Sequence, residues 1–123
     1  MSKNRRSFLI TGGAGFIPSS LADALLNDSR NFVVILDNLL TGNLGNVPTH
    51  DRCQFIKGDA NNFDDLHKVM NDFNFDFVFH YAAVVGVQRT LNNPILVLED
   101  ISGIKNVLEL CVLKKIKKIF FSS

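Results

Sequence analysis

With 123 residues, 46% of them apolar and 20% charged, the chain is long enough to bury the core of one domain and too apolar to be intrinsically disordered. Its 13 basic and 12 acidic residues leave a formal net charge of +1, which indicates no attraction to polyanions. We therefore expect neither a nucleic acid nor a membrane among its partners.

Short apolar segments alternate with longer amphipathic ones along the chain, which predicts an α/β fold with a parallel sheet. The apolar segments predict five strands, over residues 7–11, 32–37, 53–57, 75–81 and 117–122. The segments between them predict helices over 16–28 and 62–73. A third helix is expected to begin at Pro94, after Asn93 as its N-cap.

Two of these helices carry a packing prediction. The apolar residues of the first predict a buried face made of Ile17, Leu21, Ala24 and Leu25. Gly103 lies inside the third, where glycine costs about 1 kcal/mol relative to alanine. Its presence predicts close packing of that helix against a neighbour.

The segment TGGAGFI, residues 11–17, lies between the first predicted strand and the first helix, where a glycine-rich segment indicates a phosphate-binding loop. Gly12 would allow a tight turn, and Gly15 would let a pyrophosphate approach the backbone. The free N–H groups of a helix that begins near Phe16 would stabilise the phosphates. The alternative is a simple turn between strand and helix.

Asp37 ends the second predicted strand, about 20 residues after the glycine loop, which is the offset of an acid that binds the adenosine ribose. Residues 38–42 contain no Arg or Lys that could hold a 2′-phosphate. The hypothesis is a site that prefers NAD to NADP. The alternative is a solvated carboxylate at the end of a strand.

At this point the chain resembles the extended short-chain dehydrogenase/reductases, and among them the NAD-dependent nucleotide-sugar epimerase/dehydratase family. The resemblance covers essentially the whole chain. The segments that carry it are TGGAGFI, LDNLLTGN, KGDANN, FDFVFHYAAVVGVQRTLNNP, GIKNVLEL and KKIFFSS. It implies a Rossmann-type three-layer fold, with a five-stranded parallel sheet in the order 3-2-1-4-5 and helices on both faces.

The resemblance also implies a set of residues that bind NAD. Near the pyrophosphate we expect Gly12, Gly15, Phe16 and Ile17, and near the adenosine ribose Asp37, Asn38, Thr41 and Gly42. The residues expected at the adenine are Asp59 and Ala60. Those expected at the other ribose are Ala82 and Ala83. Parallel sheets bind ligands at the carboxyl ends of their strands, which agrees with these positions.

The chain departs from the family where the chemistry is expected. Family members use a Tyr-x-x-x-Lys pair, but the single tyrosine, Tyr81, is followed four places later by Val85. A catalytic Ser or Thr would follow Ser123, where the sequence stops. We therefore assign no catalytic residue. We expect an NAD-binding domain that is inactive alone and binds a nucleotide sugar only when completed by C-terminal residues.

Two other functions stay open. The chain could be a non-catalytic module that binds a dinucleotide or pairs with another subunit, and an exposed edge of the fifth strand could support a homo-oligomer. It could also be a degenerate domain, because Pro18 replaces the third glycine of the loop. The proline is expected to push the helix outward, to delay its start, and to weaken both stability and NAD binding.

Three further features favour structural roles. His80 is expected to be a packed, hydrogen-bonded histidine, and the lysines between 114 and 118 a solvated surface near a helix end. Cys53 and Cys111 have no metal-ligand spacing, so we expect reduced thiols and no metal site.

The apolar run after the basic N-terminus is too short for a signal peptide, so we expect a cytoplasmic protein.

Overall fold

The computed structural model of the protein describes residues 5–39, 42–81 and 94–121, and the side chains of all of these except 94–102. Within these ranges the strands are β1 (Arg6–Thr11), β2 (Asn31–Asp37), β3 (Cys53–Lys57), β4 (Phe77–His80) and β5 (Lys118–Phe121). The helices are α1 (Phe16–Leu26), α2 (Phe63–Asp72) and α3 (Pro94–Leu113), with a 3-10 turn at Leu44–Asn46.

The five strands form one parallel sheet in the order β3-β2-β1-β4-β5. The central strand β1 pairs on both sides, so that Phe8 lies between Val33 of β2 and Phe77 of β4. β4 is shorter than predicted. The residue before it, Asp76, turns its carboxylate to the Ser7 N–H at 2.9 Å. The predicted topology is confirmed.

Helices cover both faces of the sheet, which confirms the three-layer arrangement. On one face, α2 and α3 bury their apolar residues against β1, β2 and β4. The contributing residues of the two helices are Leu66, Val69, Met70, Val107, Leu110 and Cys111. On the other face, α1 packs Ala22 and Leu26 against Phe8, Val33 and Ile35.

The predicted buried face of α1 is wrong in part. Ile17 is 68% exposed and Ala24 is exposed too, whereas Ala22, outside the predicted face, has no exposed surface. The buried residues near the start of α1 are the small Pro18 and Ser19. Leu21 and Leu25 still pack at the edge of this contact, and the small side chains let the helix lie close to the sheet.

The free thiols and the lysines behave as expected. Cys111 is buried and Cys53 half-buried, and burial raises the pKa of each thiol to about 11. The four lysines between 114 and 118 are exposed.

Among the described residues, no helix has the length and apolarity to cross a membrane, and no group of three metal-ligating side chains comes together.

Helix α3 ends in a turn that places a lysine in the left-handed region. Lys115 has a φ of 56°, and its N–H donates to the Val112 carbonyl at 3.2 Å. The next N–H, of Ile116, donates to the Cys111 carbonyl at 3.0 Å. These two bonds form a Schellman motif, which usually has glycine at the position of Lys115.

At the amino-terminal edge of the sheet, Asp28 forms ion pairs with Arg6 at 3.0 Å and with Arg30 at 2.6 Å. The side-chain and backbone hydrogen bonds from Arg30 hold the pKa of Asp28 well below its ordinary value. Beside this pair, Arg52 donates to three backbone carbonyls between α1 and β2, those of Leu26, Asp28 and Asn31. This network joins the starts of β1, β2 and β3.

We predict that Lys115→Gly raises the free energy of unfolding by about 0.5–1 kcal/mol. The left-handed conformation costs an ordinary residue about 1–2 kcal/mol, and the greater freedom of glycine in the unfolded chain returns part of this. Denaturant unfolding measures the change. Lys114→Gly, one residue earlier and without a positive φ, is the control and should lower stability; a loss of stability in both variants would contradict the prediction.

We also predict that Asp28→Asn lowers stability at neutral pH and flattens its fall in acid. Because the folded-state pKa is depressed, the carboxylate stabilises the fold above its ordinary pKa of 3.8, and the contribution is lost as the pH falls below that value. Urea unfolding between about pH 5 and pH 2 should show the difference. Asp23→Asn on α1, outside these ion pairs, should keep the wild-type slope.

Candidate functional site

The loops that follow β1, β2, β3 and β4 are bonded to one another at the carboxyl edge of the sheet. Gly12 N–H donates to the Leu36 carbonyl at 2.7 Å, and Gly58 N–H donates to the Asp37 carbonyl at 3.1 Å. The Tyr81 N–H donates to the Thr11 carbonyl at 3.0 Å. The residues predicted from distant parts of the sequence therefore meet at one edge.

The glycine loop fits the sheet because two of its residues have no side chain. Gly12 has a φ of 70°, a conformation that glycine adopts without strain. Gly13 lies so near β2 that a Cβ would be 2.5 Å from Cγ2 of Ile35. Sequence reasoning missed this role of Gly13; its signal is the consecutive pair of glycines directly after a strand.

Asp37 is tied to the glycine loop by its own carboxylate. Its Oδ2 accepts the Ala14 N–H at 2.9 Å, its Oδ1 accepts the Leu39 N–H at 2.8 Å, and it is 7% exposed. Gly42 closes over this contact, since a Cβ there would lie 2.7 Å from Oδ2. The carboxylate is thus held in one orientation, with one N–H donor at each oxygen among the described residues.

The start of α1 is left open to an anion. Its N-cap, Gly15, has no side chain to bond the first turn, and that turn contains no acidic residue. Phe16 and Ile17, the first two helical residues, are 78% and 68% exposed. The N–H groups of a first turn have no partner inside the helix, so they are free to bind a ligand here.

The start of α2 differs in its capping and in its charge. The side chain of its N-cap, Asn62, accepts the Asp65 N–H, and Asp64 and Asp65 place negative charge in the first turn. Asp65 also accepts the N–H of Asp59 at 3.0 Å. The positive end of α2 is therefore occupied by the chain itself, whereas that of α1 is not.

The loop between β3 and α2, residues 58–62, carries the two residues predicted at adenine. Asp59 is half-buried, and its Oδ1 accepts the Asn61 N–H at 2.9 Å. Ala60 is 2% exposed. The carbonyls of Ala60 and Asn61 accept the side-chain amide of Asn106, a residue of α3 that sequence reasoning missed.

His80 is a buried structural histidine, as predicted. Its Nδ1 lies 2.6 Å from Oγ1 of Thr11, and its ring meets the edge of Phe121 at a centroid distance of 5.7 Å. It joins β4 to both neighbouring strands. Of the other predicted residues, Asn38 is exposed beside Asp37, while Thr41, Ala82 and Ala83 lie outside the described residues.

Pro18 is accommodated in the first turn of α1. The helix begins at Phe16, so Pro18 is its third residue, where an N–H would have no partner inside the helix. The ring is buried, and its Cγ lies 3.3 Å from where a Cβ of Gly15 would be. The expected late start is wrong, because α1 begins at Phe16. The outward displacement stays a prediction; Ala22 packs on the sheet with no exposed surface.

Sequence and structure comparisons give one family. The model of the NAD dependent epimerase/dehydratase family matches residues 8–123. The chain is 40% identical over 123 residues to a probable UDP-arabinose 4-epimerase of Arabidopsis thaliana, covering 94% of this chain and 30% of that protein. It is 36% identical over 116 residues to a putative UDP-glucose 4-epimerase of Methanocaldococcus jannaschii, covering 94% and 37%.

Comparison with solved structures also gives epimerases. The epimerase Mth375 of Methanothermobacter thermautotrophicus has a TM-score of 0.90 and 34% identity, covering 98% of this chain and 35% of that one. The UDP-glucose 4-epimerase of Thermus thermophilus in complex with NAD has a TM-score of 0.83 and 33% identity, covering 92% and 36%. The chain therefore spans about a third of the length of the relatives it matches.

The fit of Pro18 reverses the sign of the stability change expected on replacing it. We predict that Pro18→Gly lowers the free energy of unfolding by about 1–2 kcal/mol, because a buried ring is lost and the unfolded chain gains freedom. Thermal and denaturant unfolding measure it. Ser20→Gly, exposed in the same helix, reports the cost of glycine alone; equal losses in the two variants would contradict a packing role for the ring.

Proposed function

Because this chain belongs to the NAD-dependent epimerase/dehydratase family, we propose that it is the NAD-binding domain of a nucleotide-sugar epimerase or dehydratase and is inactive alone. The family recognised from the sequence is confirmed, and the family uses NAD. The observation that carries the proposal is the uncapped, acid-free start of α1 beside the fixed carboxylate of Asp37.

The residues present fit the pyrophosphate of NAD. Gly12 and Gly15 leave the loop without side chains, and the N–H groups of Phe16 and Ile17 are the proposed donors to the phosphate oxygens. The helix dipole adds a favourable interaction with negative charge at this end. In the first turn of α1, no carboxylate competes with the phosphates.

The adenosine half of NAD would lie across the next two loops. Within the described part of the chain, the oxygens of Asp37 each accept one N–H, which leaves lone pairs for the two ribose hydroxyls. The same negative charge would repel a 2′-phosphate, so NADP should bind more weakly. Asp59, beside Ala60, is the proposed acceptor for the exocyclic amine of adenine.

Bound NAD would supply hydride transfer at its nicotinamide ring. The contribution of this chain is to bind and orient the dinucleotide from its adenosine end. Thr41, Ala82 and Ala83, the remaining proposed contacts, lie outside the described residues. The matched relatives act, by their names, on UDP-arabinose and UDP-glucose, and we propose a nucleotide sugar as the substrate of the completed protein.

One observation favours a second function, that of a pairing module. Phe120 and Phe121 of β5 are 43% and 44% exposed, and β5 is the outer strand of the sheet within the described residues. An outer strand with exposed aromatic residues can pair with another polypeptide. Concentration-dependent sedimentation of the chain, with and without NAD, separates self-association from cofactor binding.

The proposal predicts selective binding of NAD by the 123-residue chain. Isothermal titration calorimetry should give tighter binding of NAD than of NADP, and no epimerisation of UDP-glucose should accompany it. Asp37→Ala should weaken NAD binding by roughly tenfold or more, since charged hydrogen bonds contribute about 1.5–3 kcal/mol. Asp37→Ala should also bring the affinities for NAD and NADP closer together, because the repulsion of the 2′-phosphate is removed.

The ratio of the NAD and NADP affinities distinguishes the loss of a ligand contact from a disturbed loop. A loop that loosens without Asp37 would weaken both dinucleotides equally and leave the ratio unchanged. Asp64→Ala, at the start of α2 and away from the glycine loop, is the matched control and should change neither affinity. Equal or tighter binding of NADP by the wild-type chain would overturn the proposal.

A further inference from the structure

The loop of residues 58–62, called here the adenine loop, is folded around Asp59 by local bonds. The Asp59 carbonyl accepts the Asn62 N–H at 2.9 Å, and its Oδ1 accepts the Asn61 N–H at 2.9 Å. Its own N–H donates to Asp65 at 3.0 Å. These bonds set the conformation of the Asp59 side chain, and the loop is joined to β2 through the Gly58 N–H and to α2 through Asp65.

Helix α3 supplies a further contact, to the middle of the loop. The Asn106 Nδ2 donates to the Asn61 carbonyl at 3.2 Å and to the Ala60 carbonyl at 3.4 Å. One turn earlier, Gly103 is buried against the Asn61 side chain, where a Cβ would overlap Oδ1 and lie 3.1 Å from Cγ. The absence of a side chain at 103 brings the helix close enough for the amide of Asn106 to reach the loop.

An amide is well suited to this position. It offers two hydrogens on one nitrogen and carries no charge, so it can serve two neighbouring carbonyls in a partly buried contact without the desolvation cost of an ion. Without it, those carbonyls would lose a donor where water has little access, at a cost comparable to a lost hydrogen bond. Asn106 therefore holds both carbonyls at fixed places relative to the sheet.

We propose that Asn106 is a positioning residue for the adenine end of the dinucleotide site. It acts through the Ala60 and Asn61 carbonyls and sets the position of Asp59, whose Oδ2 has no donor among the described residues and would accept the adenine amine. This inference rests on the proposed function. Its specific consequence is that the preference for an amino-purine depends on a residue of α3 that touches no part of the ligand.

The test compares NAD with its purine riboside analogue, in which a hydrogen atom replaces the adenine amine. The wild-type chain should bind NAD roughly tenfold more tightly, the effect of one hydrogen bond to a charged acceptor. Asn106→Asp, nearly the same shape but without the donor, and Asn106→Ala should reduce this ratio toward one. Two variants are used because either one could fail to fold.

Controls separate positioning from general destabilisation. Asn71→Ala, an exposed asparagine of α2, should keep the wild-type ratio, and Asp59→Asn should lose it even with Asn106 present. In the free chain, hydrogen exchange of the amides at residues 61 and 62 should accelerate in the Asn106 variants and stay unchanged in Asn71→Ala. A variant that is merely less stable would weaken both dinucleotides and keep their ratio.

The outcomes are distinct. A ratio that survives in folded Asn106 variants overturns the positioning role and leaves the proposed function intact. A wild-type chain that binds both dinucleotides equally overturns the assignment of Asp59 and the inference with it. A wild-type chain that binds neither overturns the proposed function itself, and the positioning role falls too.

Discussion

The close approach of the glycine loop to β2 is the constraint on which the site depends. A Cβ at Gly13 would be 2.5 Å from Ile35, so only a glycine allows the loop to lie this near the sheet. That approach puts the Ala14 N–H within 2.9 Å of the Asp37 carboxylate. One steric condition therefore positions the glycine loop and the Asp37 carboxylate together, although they follow different strands.

The two helices that begin at this edge differ in the side chains at their N-cap and in their first turn. Asn62 and two aspartates use the free N–H groups and the positive end of α2. At α1 the N-cap is Gly15, and the acidic residues are missing from the first turn. Although Pro18 leaves α1 one N–H fewer in its first turn, no side chain of that turn uses the N–H groups of Phe16 and Ile17, whereas Asn62 and the aspartates use those of α2.

Much of this arrangement could be predicted from the sequence, because it follows from local rules. Apolar runs between amphipathic segments predicted the parallel sheet, and a fixed offset from the glycine loop predicted that Asp37 lies beside that loop. The buried face of α1 could not be predicted so simply. A helix that packs closely buries small residues such as Ala22 and leaves Ile17 exposed, the reverse of the usual pattern.

Contacts between segments that are distant in the sequence could not be predicted either. Asn106 and Asn61 are separated by 45 positions, and nothing in the pattern around Asn106 says which carbonyls it meets. Gly103 predicted that α3 packs closely on something, and the structure identifies the neighbour as Asn61. Each loop at the carboxyl edge thus takes its shape from its own sequence, while its place relative to the next loop is set by contacts that cross the fold. The selectivity of such a site should then depend as much on α3, which lies behind the adenine loop, as on the residues that touch the ligand.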